Sequence, residues 1–148
     1  MTISSDCFSF ETHSIKIQRP PETLSLNMLA MKLCNSYFIW IGDAQAKFTG
    51  LSLSIPGSGT SSTVNGATVY HSNSTTPSSR SIPELSLANK LSKKLGCTVY
   101  LSLSVTCEFL DNWDVIDPVS RRPLSHEIQE ALLKSFDTFF SQSVDPSL

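Results

Sequence analysis

The residue types that could do chemistry are scattered along this chain of 148 residues, and their spacing matches no catalytic motif. Three histidines, His13, His71 and His126, lie on a predicted strand edge, in a polar loop and at a predicted helix start. Serine is abundant, but the chain has no GxSxG motif that would place a nucleophile on a sharp strand-to-helix turn. A serine–histidine–aspartate triad therefore has no support beyond composition, and the sequence does not predict an enzyme.

Phosphate and metal sites are equally poorly supported. The stretch Gly57-Ser58-Gly59-Thr60 lacks the lysine and the following helix that a P-loop requires, so a flexible hairpin loop is the better interpretation. Asp111, Asp114 and Asp117 are three residues apart but lack the EF-hand glycine, which indicates a solvated acidic loop. We therefore expect no cofactor and no metal.

Composition narrows the class of protein further. The net charge of −2 argues against nucleic-acid binding, since phosphate neutralisation needs a surplus of lysine and arginine. No apolar run approaches the roughly 20 residues of a membrane helix, and no secretory signal is visible. Four cysteines occur singly, without a CxxC pair, and are interpreted as small core residues of an intracellular protein: Cys7, Cys34, Cys97 and Cys107. The expected location is the cytoplasm, with the nucleus as a second compartment.

The elements that would position any site are organised around Leu24–Gly42, which is predicted to be a β-hairpin with a turn at Cys34-Asn35-Ser36. Its second strand is apolar on both sides. Tyr37, Ile39 and Ile41 point one way, and Phe38 and Trp40 point the other. A strand that is apolar on both faces must be covered on both. The sequence leaves open which set faces outward.

The rest of the chain predicts an α+β fold: a mainly antiparallel sheet of about six strands with two amphipathic helices packed on one face. Strands are expected near 7–18, 48–55, 67–70 and 97–105. Helices are expected over 81–95 and 124–140, with a Ser81–Glu84 capping box, Gly96 ending the first helix and Ser125 as N-cap of the second. We expect a single domain over 1–148, with flexible loops at about 56–80 and 106–123 and a frayed tail at 141–148.

One stretch resembles a known family. The run 31–42, MKLCNSYFIWIG, is similar to the M-[RK]-L-x-[DN]-S-x-F-[IL]-W-[IV]-G segment of the proteasome assembly chaperone 4 family. The later order also fits: a Ser/Thr-rich segment, an LAxxLxKK-type helix at 87–94, a strand and a C-terminal amphipathic helix. The resemblance covers roughly 26–55 and 83–140. The long connections 56–80 and 106–123 depart from the family pattern.

The resemblance implies a non-enzymatic chaperone that pairs with a related subunit of the proteasome assembly chaperone 3 type. The heterodimer would assist assembly of the 20S proteasome α-ring, bind α subunits transiently and leave the finished particle. Pairing in the family brings two sheets together as a sandwich. The residues that we expect at the partner interface are Met28, Phe38, Trp40 and Tyr100.

Two other classes of function are left open by the sequence. A generic interaction or adaptor module of the roadblock or longin type would share the two-sided sheet, but it would copurify with trafficking or signalling complexes. A hydrolase or nucleotide-binding enzyme is the more distant alternative, because its motifs are missing.

Overall fold

The computed structural model describes residues 9–19, 22–45, 47–57, 64–71, 81–105 and 113–143. These residues form a six-stranded sheet and two long helices. The strands are β1 (Ser9–Arg19), β2 (Glu22–Lys32), β3 (Ser36–Gly42), β4 (Gly50–Pro56), β5 (Val64–His71) and β6 (Thr98–Ser104), and the helices are α1 (Ser81–Leu95) and α2 (Leu124–Ser143). The predicted loop segments 58–63, 72–80 and 106–112 lie outside the described residues.

The sheet has the strand order β1-β2-β3-β6-β4-β5. Every neighbouring pair is antiparallel except β3 and β6, which run parallel at the centre of the sheet. The β2–β3 hairpin closes through Cys34-Asn35, and the Leu33 N–H donates to the Ser36 carbonyl at 2.8 Å. The predicted α+β class, with a mainly antiparallel six-stranded sheet, is confirmed.

Both helices pack on the same face of the sheet, which we call the covered face. Helix α1 contacts β4, β5 and β6, and α2 contacts β1. Strand residues that alternate towards the helices are buried with the apolar stripe of α2 in one core, so the two-residue strand period and the helical period meet there. The buried strand residues are Ile15, Ile17, Leu26, Met28, Ala30, Ile39, Ile41, Val99, Leu101 and Leu103.

The contact between α1 and β4 is polar, which was not predicted from the sequence. The buried hydroxyl of Ser52 donates to Glu84 Oε1 at 2.6 Å, and the Leu103 N–H donates to Glu84 Oε2 at 2.9 Å. The hydroxyl of Ser54 donates to Asn89 Oδ1 at 2.7 Å. The carboxylate of Glu84 thus links α1 to both β4 and β6. Buried polar groups need such partners, because an unpaired one costs about 1–3 kcal/mol.

Helix α1 begins and ends where the sequence predicts. Gly96 has φ of +68°, a left-handed conformation that suits glycine, and its N–H donates to the Ser92 carbonyl at 2.8 Å. Helix α2 differs in detail from the prediction. The Pro123 carbonyl accepts the His126 N–H at 3.1 Å, so Ser125 lies inside the first turn and is not the N-cap. The helix also extends to Ser143, past the predicted end.

Two interpretations of surface and core residues are corrected by the structure. Asp117 is buried and its Oδ2 accepts the Ser120 N–H at 2.8 Å, so it shapes a turn and is not part of a solvated acidic loop. Cys34 is exposed at the hairpin turn and Cys97 is half-buried, so neither is a core residue. A turn leaves its central side chains without a second layer of structure to cover them.

Candidate functional site

The structure decides which side of the opening hairpin faces outward. Ile39 and Ile41 are fully buried against the helices, whereas Phe38 and Trp40 lie on the opposite side of the sheet and are half-buried. We call this opposite side the open face, because neither described helix packs on it. The surplus apolar surface of β3 therefore lies outside the core of the described chain.

A continuous apolar row crosses the open face from one edge of the sheet to the other. Adjacent members are direct register partners on neighbouring strands, so their side chains stand side by side. In strand order from β1 to β5 the row consists of Phe10, Met31, Phe38, Tyr100, Leu53 and Ala67. None of these side chains is buried, and Phe10 is 63% exposed.

Across β1, β2, β3 and β6, the open face becomes more polar along the strands away from this row. The next row contains Thr12, Leu29, Trp40 and Ser102. The row after it contains Ser14, Asn27, Gly42 and Ser104. The apolar part of the open face is thus a band with a polar margin, which is the usual arrangement of a protein-binding surface.

Trp40 lies flat on the open face over Gly42. A side-chain Cβ at Gly42 would overlap the indole ring, so the glycine provides the space that the ring occupies. Beneath this region β6 supplies only small residues. The hydroxyls of Ser102 and Ser104 lie 2.8 Å apart and bond to each other, and Ser104 also accepts the Thr49 N–H at 3.1 Å. The Trp-x-Gly spacing seen in the sequence therefore has a packing role.

Three of the four predicted interface residues are brought together by the sheet. Phe38 and Tyr100 are register partners in the apolar row, and Trp40 is one row away on the same face. Met28 lies on the covered face and is 2% exposed, packed in the core. Its side chain has no route to a partner on the open face, and we do not include it in the proposed interface. The contact of Phe38, Trp40 and Tyr100 with a partner stays a prediction.

Several residues of the open face were not predicted from the sequence. Phe10, Met31, Leu53 and Ala67 complete the apolar row. Phe48 also stacks on Tyr70, with ring centroids 6.0 Å apart. A signal for Leu53 was present in the alternation of β4, where leucines alternate with serines. This signal could not assign Leu53 to the open face, because alternation gives the period of a strand but not which of its two sides faces the core.

The candidate catalytic residues stay apart in the described structure. His13 Nε2 lies 3.4 Å from Glu11 Oε2 on β1, and His126 is exposed at the start of α2. The side chain of His71 lies outside what is described. Across the described ranges, no group of three histidine, cysteine or acidic side chains is placed to hold a metal ion. None of the helices in those ranges is long and apolar enough to cross a membrane.

Two side chains with raised pKa values, Tyr37 and Cys97, lie at one end of the sheet, where β3 and β6 begin. Burial raises the pKa of Cys97 above its usual value. Burial, and then the neighbouring Cys97, raise the pKa of Tyr37. Both shifts favour the neutral forms at neutral pH, so neither group is an activated nucleophile or base. Both residues line one groove together with Cys34 and Lys32.

Comparisons with known proteins agree with this architecture. A family model described as "Proteasome assembly chaperone 4" matches residues 25–105, more than half of the chain. The match runs from β2 to the end of β6, and it includes every member of the apolar row except Phe10. Among curated protein sequences, the search found no significant match.

A solved structure has a similar fold. It is the "Crystal Structure of a Novel Chaperone Complex for Yeast 20S Proteasome Assembly", of which one chain matches with a TM-score of 0.51 and 16% sequence identity. The alignment covers 92% of this chain and 98% of the yeast chain. At this level of identity the likeness concerns the fold alone.

Proposed function

Since this chain belongs to the proteasome assembly chaperone 4 family, we propose that it pairs through its open face with a related chaperone subunit and assists assembly of the 20S proteasome α-ring. The proposed partner is of the proteasome assembly chaperone 3 type, and the α subunits are bound transiently. The chain acts by binding and not by catalysis. Its location in the cytoplasm, and in the nucleus as a second compartment, stays a prediction.

The observation that carries this proposal is the apolar row across all six strands, on the face that neither described helix covers. Exposed apolar bands of this extent on a folded protein mark sites for protein association. A second sheet is the cover that fits best, because two sheet faces pack about 10 Å apart with their side chains interdigitated. Aromatic residues such as Phe38, Trp40 and Tyr100 are the usual anchors of such interfaces.

The first experiment is a tagged chain purified from its native cell, with mass spectrometry of the bound proteins. We expect one related small chaperone together with proteasome α subunits. The variant Phe38→Asp places a charge at the centre of the apolar row and should abolish recovery of the chaperone subunit, since burying an unpaired carboxylate is unfavourable. Lys90→Asp, on the exposed side of α1, is the matched control and should leave recovery unchanged.

A second variant keeps the test valid if Phe38→Asp fails to fold. Phe10→Asp changes a member of the apolar row that is 63% exposed on the edge strand β1, and it should leave the melting temperature close to that of the wild type. It should still weaken pairing. Recovery of trafficking or signalling complexes, or unchanged pairing in both folded variants, would refute the proposal.

A further inference from the structure

The segment between β6 and α2 exposes a second group of apolar side chains, apart from the apolar row. Val115 is 50% exposed, Ile116 61% and Val119 74%. We propose that the loop 115–122 is a second protein-binding surface, which takes a folded protein with an apolar depression bordered by carboxylates. The inference rests on the proposed function, because it assigns the binding of a proteasome α subunit to this loop.

The loop is held in one conformation by hydrogen bonds at its base. The Asp117 N–H donates to the Arg122 carbonyl at 3.0 Å, and the Arg121 N–H donates to the Asp117 carbonyl at 2.8 Å. The side chain of Asp117, which is buried, accepts the Ser120 N–H. Ile116 and Pro123 close the turn as an antiparallel bridge. The tip is thus preorganised, which lowers the entropic cost of inserting it into a partner.

The base of the loop is also fixed to the core. Trp113 is buried in the main hydrophobic cluster, and its carbonyl accepts the Ser125 N–H of α2 at 2.9 Å. The three apolar side chains are exposed although the backbone on both sides of them is anchored. Exposed β-branched residues on a rigid turn contribute little to the stability of the chain itself, and a binding surface accounts for their position.

The charge at the tip indicates the chemistry of the partner. Arg121 is exposed, two residues after Val119, and its φ of +58° is a left-handed conformation that is uncommon outside glycine. Arg122 is bound to Glu130 of α2 at 2.7 Å and is therefore part of the support. Arg121 is the cation left at the tip, and acidic groups on the partner would complement it and steer association.

The loop lies at the β1 edge, beside the end of that strand that is far from Phe10 of the apolar row. Ser120 and Arg122 line a groove with Lys16 and Gln18 of β1 and with Glu127 of α2. A protein bound to the loop would therefore leave the apolar row free for a second sheet. A chaperone that holds a partner subunit and a client at once needs two such separate surfaces. The loop also lies outside the residues that match the family model.

The test uses the full chain, coexpressed with its chaperone partner and offered proteasome α subunits expressed singly. The triple variant Val115→Ser, Ile116→Ser and Val119→Ser should keep the chaperone partner and the melting temperature. It should lower capture of the cognate α subunit by about tenfold or more, since removal of apolar anchors at an interface has effects of this size. The matched control is Val69→Ser, a valine of similar exposure on the opposite edge strand, which should capture normally.

The charge is tested separately with Arg121→Glu. Capture by this variant should weaken more at low salt than at high salt, because the lost attraction is screened by ions. Unchanged capture by the triple variant would overturn the inference and leave the proposed function intact. Loss of the chaperone partner by a folded triple variant would also overturn the inference, because the loop would then belong to the pairing interface. If the wild-type chain captures no α subunit at all, the proposed function and the inference fall together.

Discussion

The two faces of the sheet are both rich in apolar residues, yet they differ in how those residues are covered. On the covered face, strand residues such as Ile39, Ile41 and Leu101 have no solvent exposure and pack beneath two helices. On the open face, the apolar row is formed by register partners within the sheet, and neither described helix packs on it. The difference indicates that one face stabilises the folded chain, and that the other has apolar surface to contribute to an association.

The largest expected effect is the difference in stability lost when one leucine on each face is replaced by alanine. Leu101 is fully buried, so Leu101→Ala should lower the free energy of unfolding by about 2–5 kcal/mol. Leu53 lies one residue pair away on the open face and is half-buried, so Leu53→Ala should lower it by only about 1 kcal/mol. Urea denaturation of the isolated chain measures both. Equal losses would contradict the distinction between the faces.

A smaller loss of stability is expected at the polar contact between α1 and β4 on the covered face. Glu84→Ala leaves the Ser52 hydroxyl and the Leu103 N–H without their buried acceptor, at a cost of about 1–3 kcal/mol. Glu84→Gln retains one oxygen acceptor and should cost less. The control is Glu127→Ala, at a less buried position in the first turn of α2. Thermal unfolding at constant pH measures the stability of all three variants. If Glu84→Ala unfolds like the wild type, the link between α1, β4 and β6 has no energetic role.

The smallest effect concerns the thiols at the end of the sheet. Cys34 is exposed at the hairpin turn, whereas burial of Cys97 raises its pKa and so lowers its thiolate fraction. Iodoacetamide at pH 8 should therefore alkylate Cys34 faster than Cys97, because the thiolate is the reacting form. Raising the pH above the pKa of Cys97 should narrow the difference between the two alkylation rates. Peptide mass spectrometry gives both rates, and faster alkylation of Cys97 would contradict its burial.

Local features of the fold were predictable from the sequence. Helix α1 has its predicted bounds because Pro83 in the first turn and Gly96 after the last turn are local signals. The hairpin of β2 and β3 was likewise visible in its apolar runs and polar turn. Such signals depend on neighbouring residues and do not require knowledge of the tertiary structure.

What the sequence could not supply depends on contacts between distant residues. In β4 the serines face the core and the leucines face outward, since Glu84 and Asn89 of α1 bond to Ser52 and Ser54. Strand alternation alone is symmetric with respect to the two faces. The apolar row likewise depends on the register of all six strands. Only Phe38, Trp40 and Tyr100 of the open face could be proposed from their residue types.

The fluorescence of Trp40 tests the central claim most directly, because its indole lies on the open face. In the variant Trp113→Phe, Trp40 is the remaining tryptophan, and acrylamide quenching of its emission can be followed as the chaperone partner is added. Trp40→Phe, which retains the buried Trp113, is the control and should not respond. We predict a blue shift and loss of quenching for Trp40 on pairing. A stable complex in which Trp40 stays as accessible to acrylamide as in the free chain would contradict pairing through the open face.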